Sequence, residues 1–163
     1  MPVTIHAGEQ EAHAFLRDHR VGVLATVDPN DEPHAAAIYY AVEKGLTINF
    51  LTKTRTKKAD NLQHNNHAML VVYDDATQTT VQITGVASEI TDALESNKLF
   101  GEIINASLDA SGNVVPPIAK LKEGDYIAFR LIPKQVRMAV FSGPKSGDYN
   151  AIFKTIVPDA HQA

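Results

Sequence analysis

The sequence predicts a mainly β protein, an antiparallel β-barrel of about seven strands with helices inserted between them. Three observations lead to this class. Short runs rich in β-branched residues recur along the chain, turn residues or tight glycine-containing links join successive runs, and strands do not alternate regularly with helices as a Rossmann-type sheet requires. The length of 163 residues suits a single domain over residues 1–163, since no linker or repeat divides the chain.

One helix and three strands are predicted in the first part of the chain. The helix covers about Glu9–Asp18, where Ala12, Phe15 and Leu16 form a one-sided apolar stripe. The strands cover Val21–Val27, about His34–Val42 and about Leu46–Thr52. The link Glu43–Gly45 is so short that the second and third strands should form an antiparallel hairpin.

The rest of the chain continues with strands, turns and helical insertions. Helices are predicted at about Thr56–His64 and Asp92–Asn105. The four later strands cover Met69–Tyr73, Thr79–Ile90, Tyr126–Ile132 and Gln135–Phe141, and the last two meet at Pro133-Lys134. The stretch Ser107–Gly124 is predicted to be irregular, and a terminal helix is predicted near Ala151–Ile156.

Composition excludes several classes of function. The chain has no cysteine, so it has no disulfide, thiol nucleophile or cysteine-ligated metal, and no grouping of histidines and acids predicts a metal site. The formal net charge of −4 argues against a nucleic-acid partner. No apolar stretch approaches the roughly 20 residues of a membrane span, and the N-terminus lacks a secretory pattern. A cytoplasmic protein without a membrane partner is therefore expected.

The segment Thr52–Lys58 is the most informative part of the sequence. Four of the fifteen cationic residues lie between Lys53 and Lys58, where a predicted strand ends and a helix begins. Lysines in a first helical turn are unfavourable because that turn already presents free N–H groups and a partial positive charge. A bound phosphate would reverse this cost by accepting from N–H groups, threonine hydroxyls and ammonium groups together. A solvated basic loop is the alternative interpretation.

Two neighbouring strands extend the candidate site. An apolar stripe ends at the basic segment, because the two-residue period of a strand places on one face Leu46, Ile48, Phe50 and Thr52. In the strand Thr79–Ile90, a polar row that includes Gln82 lies opposite the apolar residues. Gln82 carries a donor and an acceptor that can hydrogen-bond the edge of a planar heterocycle. Exposure of this row to solvent is the alternative interpretation.

The order of these elements and motifs resembles the pyridoxamine-phosphate-oxidase-like family of flavin-binding split barrels, in particular its general-stress-protein-like members. The similarity covers about residues 9–90, with weaker support from Tyr126–Phe141. Its best local signature follows the third strand and consists of Thr52, Thr56, Lys57 and Lys58. The ordered combination of strands, signature and turn carries the resemblance more than any single motif does.

The resemblance implies an FMN-binding split barrel of six to seven antiparallel strands with peripheral helices. The FMN phosphate would be held by Thr52, Thr56, Lys57 and Lys58. The isoalloxazine ring would be lined, largely through backbone groups of the second strand, by Ala37, Ile38 and Tyr39. Gln82 would reach a polar edge of the ring. Members usually form homodimers with flavin at the interface, so the resemblance implies a homodimer. It also implies an FMN-dependent oxidoreductase that acts on a small-molecule substrate.

Two features differ from true pyridoxamine-phosphate oxidases. The segment His34–Tyr40 has no basic pair, and the stretch from Ser142 to Ala163 has no arginine and no substrate motif that combines arginine with histidine. These differences argue against pyridoxamine-phosphate oxidase activity but not against the flavin fold. The alternatives are a split barrel that binds F420 or haem, and a non-enzymatic barrel that binds flavin, another ligand or nucleic acid as a stress or sensing protein.

Overall fold

The computed structural model describes residues 7–111, 117–122, 124–141 and 152–156. Its α-helices are α1 (Ala7–Asp18), α2 (Lys57–His64) and α3 (Ala93–Ser111). Its strands are β1 (Val21–Val27), β2 (Pro33–Val42), β3 (Ile48–Lys53), β4 (His67–Asp74), β5 (Thr79–Ile90), β6 (Tyr126–Val140) and β7 (Lys154–Ile156). Short 3-10 turns cover Lys44–Leu46 and Pro117–Lys120.

Six of these strands close into a barrel. Hydrogen-bonded neighbours follow the order β3-β2-β1-β4-β5-β6, and β3 returns to pair with β6. All of these pairings are antiparallel. The first half of β6 pairs with β3, and its second half pairs with β7, which is an extra strand outside the barrel. The prediction of a mainly β, antiparallel barrel with peripheral helices is confirmed.

Apolar side chains fill the barrel interior. Five barrel strands contribute fully buried residues, among them Leu24, Phe50, Leu70, Ile83 and Leu131. Helix α1 packs against this core, and the buried hydroxyl of Tyr40 donates to the carbonyl of Leu16 at 2.9 Å. Burial raises the pKa of Tyr40, so the phenol stays neutral and remains a donor.

A second, smaller core lies outside the barrel, beneath α3. It consists of Leu51, Ile90, Leu99, Ile103 and Ala128, with Tyr39 and Phe100 among the residues packed against it. Strand β3 is therefore buried on both faces: Phe50 points into the barrel and Leu51 points to α3. Thr52, which ends the buried part of β3, is 2% exposed. The basic segment that follows therefore begins at a buried residue.

The last barrel strand corrects one prediction. The break expected at Pro133-Lys134 is wrong, because Tyr126–Val140 is one continuous strand. Its register against β5 shifts between Thr84 and Gly85, so that Gly85 faces Pro133 and Lys134 is the extra residue of a β-bulge. A bulge tolerates proline inside a sheet, because the ladder hydrogen bond is already interrupted there.

The C-terminal helix predicted near Ala151–Ile156 is also wrong, since Lys154–Ile156 forms a strand. Val136–Met138 of β6 provides an open edge, and pairing with it buries Ile156 against α1 and the barrel core. The stretch predicted to be irregular from Ser107 begins instead with the last turn of α3, which extends to Ser111. Residues 112–116 lie outside the described residues.

No helix within the described part of the chain is long and apolar enough to cross a membrane.

Candidate functional site

A cleft lies on the outside of the barrel, where β2 and β3 meet the N-terminus of α2 and the 3-10 turn after α3. Its volume is about 220 Å³. It is lined by Ala37, Ile38, Tyr39, Leu51, Thr52, Lys53, Lys58, Pro117 and Leu121. The side chain of Ile38 packs in the barrel interior, so Ile38 can present only backbone groups to the cleft. The cleft thus joins an apolar wall to a cationic end.

Two threonines fix the loop at the cationic end of the cleft. The hydroxyls of Thr52 and Thr56 lie 2.9 Å apart, and the Thr56 hydroxyl donates to the carbonyl of Lys53 at 3.0 Å. Thr56 is also the N-cap of α2, because its hydroxyl accepts from the N–H of Ala59. The chain reaches this cap through Arg55, which adopts a left-handed φ of 60°. The first turn of α2 therefore points its free N–H groups in a defined direction.

Lys58 supplies the cationic charge next to this helix end. Its side chain is partly buried, and desolvation lowers the pKa of its ammonium group. Among the described residues, no carboxylate lies within ion-pair distance of Lys58. A desolvated ammonium beside the free N–H groups of a helix start is a donor set suited to an anion, and phosphate fits it.

Lys57 lies on the other side of the helix start. Its ammonium is 3.7 Å from a carboxylate oxygen of Asp28, in the turn after β1. The same carboxylate accepts from the backbone N–H groups of Asn30 at 2.9 Å and Glu32 at 3.0 Å. The Lys57 charge is thereby partly neutralised outside the cleft.

These contacts make Asp28 a source of pH-dependent stability. The N–H groups of Glu32 and Asn30, and then Lys57, hold the pKa of Asp28 below its usual value of 3.8. A carboxyl with a lowered folded-state pKa stabilises the fold above its unfolded pKa and loses that effect as pH falls through the folded one. Asp28→Asn keeps one acceptor oxygen but no charge. We expect it to lower Tm at pH 7, and the difference from the unmodified protein to shrink between pH 4 and pH 2. A difference that stays constant over that range would contradict the assignment.

Gln82 lies on the outer face of the barrel, away from the cleft. The strand registers align Ala37, Val23, Val71 and Gln82 in one row across β2, β1, β4 and β5. Three strand spacings, roughly 14 Å, separate Gln82 from Ala37 within one chain. Its side-chain amide has no hydrogen-bond partner among the described residues.

The structure brings together six of the eight residues predicted for the site: the β2 segment Ala37–Tyr39, Lys58, and Thr52 with its hydrogen-bonded neighbour Thr56. It does not bring Lys57 or Gln82 into the cleft. Sequence reasoning missed Pro117 and Leu121, which close the cleft from a stretch with no recognisable motif. It also left out Lys53, although this residue belongs to the basic segment.

No group of three or more histidine, aspartate or glutamate side chains within the described ranges is arranged to hold a metal ion.

The closed barrel, the helix α3 packed outside it and the cleft at the start of α2 define a split β-barrel protein. The chain belongs to the pyridoxamine 5'-phosphate oxidase family, whose model matches residues 9–139. No curated protein sequence matches the chain.

Solved structures share the fold at low sequence identity. A pyridoxamine 5'-phosphate oxidase-related, FMN-binding protein from Nostoc punctiforme is 20% identical, with a TM-score of 0.63 over 96% of this chain and 98% of that one. A Clostridium acetobutylicum protein related to general stress protein 26 is 14% identical, with a TM-score of 0.67 over 92% and 94%. A heme-binding protein from Mycobacterium smegmatis is 18% identical, with a TM-score of 0.67 over 96% of this chain and 60% of that one. At these identities the likeness concerns the fold alone.

Proposed function

We propose that this protein binds FMN in the cleft as a homodimer and acts as an FMN-dependent oxidoreductase on a small-molecule substrate. One observation carries the proposal. Lys58 is a partly buried cation without a carboxylate partner among the described residues, and it lies at the N-terminus of α2 beside an apolar wall. An anion joined to a flat apolar ring system matches both halves of this cleft.

Each group in the cleft has a distinct part in this proposal. Lys58 and the first-turn N–H groups of α2 bind the phosphate, and Thr52 and Thr56 hold the loop that presents them. Lys57 adds positive charge at longer range, reduced by its ion pair with Asp28. Tyr39 and the backbone of β2 line the ring. The flavin supplies the redox chemistry when it is bound, and the protein orients it and excludes water.

The size of the cleft supports a homodimer. Its volume of about 220 Å³ is below the roughly 300–1,000 Å³ of ordinary ligand pockets. The outer face of β1 and β4 beside it carries exposed apolar side chains, including Val21 and Val23 at 48% and 47% and Tyr73 at 54%. Burial of this face against a second copy would remove an apolar patch from water and enlarge the site.

The row of residues on the outer face indicates how two copies would combine. The apolar pair Val23 and Val71 occupies its middle, Ala37 one end and Gln82 the other. Suppose that two such faces pack against each other around a two-fold axis that runs parallel to the strands. Each end of the row then lies against the opposite end of the partner's row. The partner's Gln82 then lies beside Ala37 and can reach a polar edge of the ring.

Haem and F420 are the competing cofactors. Haem iron needs an axial ligand from the protein. The described residues that line the cleft include no histidine, methionine or cysteine, so among the common haem ligands only Tyr39 is present. F420 has a long acidic tail, for which the described cleft offers only Lys53 and Lys58. FMN, with one phosphate, matches this charge best.

A competition among cofactors tests the proposal. Purified apoprotein is titrated with FMN, riboflavin, F420 and haemin, with flavin fluorescence or the Soret band as the signal. We expect saturable FMN binding at least about tenfold tighter than riboflavin binding, since riboflavin lacks the phosphate and its charge-assisted hydrogen bonds. Equal affinity for the two flavins would contradict the phosphate site. Binding of haemin or F420 with no binding of FMN would overturn the proposed function.

A further inference from the structure

Arg137 lies next to Gln82 on the outer face of the barrel. The two residues are direct cross-strand partners on β5 and β6, and both are partly buried. The guanidinium of Arg137 stacks over the ring of Phe153 at 4.3 Å from the centroid, and Phe153 meets Phe141 edge-on at 6.0 Å. No carboxylate within the described ranges pairs with Arg137. The ring of Phe153 thus holds this cation, and no described side chain supplies it with a counter-charge.

The strand registers extend the row on the outer face by one position. From Ala37 it runs through Val23, Val71 and Gln82 to Arg137. Within one chain Arg137 is four strand spacings, roughly 19 Å, from Ala37. Across the two-fold axis inferred above, the partner's Arg137 follows the partner's Gln82 and lies just beyond the Ala37 end of the cleft.

We propose that Arg137 acts in trans, as the cation that the partner subunit places at the polar edge of the flavin ring beside its Gln82. This inference rests on the proposed function and deepens it. The ring gains negative charge at that edge when it is reduced, and a nearby guanidinium stabilises the charge. Arg137 is therefore a positioning and tuning residue, and it makes the dimer necessary for the redox properties of each site.

Three variants separate this role from a structural one. Arg137→Gln removes the charge, Arg137→Lys keeps it, and Lys134→Gln removes an exposed cation of the same strand outside the row. We expect Arg137→Gln to decrease the preference of the site for reduced over oxidised FMN about tenfold, a fall of about 30 mV in the two-electron midpoint potential. Arg137→Lys should recover most of this potential, and Lys134→Gln should leave it unchanged. Gel filtration and Tm of each variant report whether the dimer is folded.

A mixed dimer distinguishes action in trans from action within one chain. A Lys58→Ala chain and an Arg137→Gln chain are co-expressed with different tags and purified as the heterodimer. In this heterodimer, the chain with Arg137→Gln keeps Lys58 and so holds the tight flavin site. If Arg137 acts in trans, that site receives the intact Arg137 of the Lys58→Ala chain, and its flavin has the midpoint potential of the unmodified protein. If Arg137 acts in its own chain, the same site has only the substituted residue, and its flavin shows the lowered midpoint potential.

The midpoint potentials of the homodimer and the heterodimer together decide whether Arg137 acts in trans. The unmodified potential in the tight site of the heterodimer, together with the fall in the Arg137→Gln homodimer, supports the inference. A lowered potential in that tight site overturns it, and so does an unchanged potential in a folded Arg137→Gln homodimer. Either of the last two leaves FMN binding in place. Failure of the unmodified protein to bind FMN would instead overturn the proposed function, and the inference with it.

Discussion

Replacement of Lys58 by alanine should weaken FMN binding about 10- to 100-fold. Hydrogen bonds to a charged group contribute about 1.5–3 kcal/mol, and each 1.4 kcal/mol is a factor of ten in affinity. Lys58 should lie near the upper part of this range, because its ammonium is already partly desolvated and binding the phosphate restores a partner. Fluorescence titration of apoprotein with FMN measures the change in Kd.

Lys57→Ala is the matched control for this substitution. It removes the same side chain from the neighbouring position of the same helical turn, but its ammonium is 3.7 Å from the carboxylate of Asp28. We expect its effect on the Kd of FMN to stay below about threefold, since an exposed charge acts through screened, longer-range attraction. Riboflavin affinity should change little in either variant. Equal losses at Lys57 and Lys58, or a riboflavin loss as large as the FMN loss, would contradict the assignment of Lys58 to the phosphate.

Replacement of Gly85 by alanine should be strongly destabilising. A Cβ at this position would lie 2.1 Å from the carbonyl oxygen of Ile132, 2.9 Å from its carbonyl carbon and 3.1 Å from the Cα of Pro133. All three atoms belong to the backbone of the bulge in β6, so no side-chain rotation can relieve the clash. We expect a loss of roughly 3 kcal/mol in the free energy of unfolding and a fall of roughly 10 °C in Tm.

Gly101→Ala is the control for the loss of a glycine. Gly101 is inside α3, and apart from its chain neighbours and the backbone of α3 no atom of the described residues lies within 4 Å of the position that a Cβ would take. Alanine is favoured over glycine in a helix interior, so this variant should be more stable by about 0.5–1 kcal/mol. Thermal and urea unfolding of both variants measure the difference. A Gly85→Ala protein within about 0.5 kcal/mol of the unmodified chain would show that the bulge opens without strain.

Local signals in the sequence were sufficient where an element is bounded by turn residues. The strands Val21–Val27 and Thr79–Ile90 are observed with their predicted bounds, because each is a run rich in β-branched residues next to a turn. The helix predicted at about Thr56–His64 is observed as Lys57–His64, with Thr56 as its N-cap. The bulge at Pro133 and the strand Lys154–Ile156 depend on pairing with distant parts of the chain, which local propensity does not report.

The residues of the candidate site likewise fall into those that the sequence predicts and those that it does not. Thr52, Thr56 and Lys58 could be predicted because one short segment carries them all. Pro117 and Leu121 form the opposite wall and follow α3 in the sequence, where no residue pattern predicts a contact with the cleft. The neutralisation of Lys57 depends on Asp28, which is distant in sequence and lies in the turn after β1. Charge counted along a segment does not tell which side of a helix start each lysine occupies.

Native mass spectrometry of the protein with FMN tests the central claim most directly, because it reports cofactor and assembly together. The expected species is a dimer that carries two FMN molecules, formed from two copies of the cleft and of the apolar face beside it. Gentle activation should release flavin and separate the chains together, since both copies contact each cofactor. A monomer that binds FMN, or a stable dimer that excludes it, would contradict a flavin site shared between two chains.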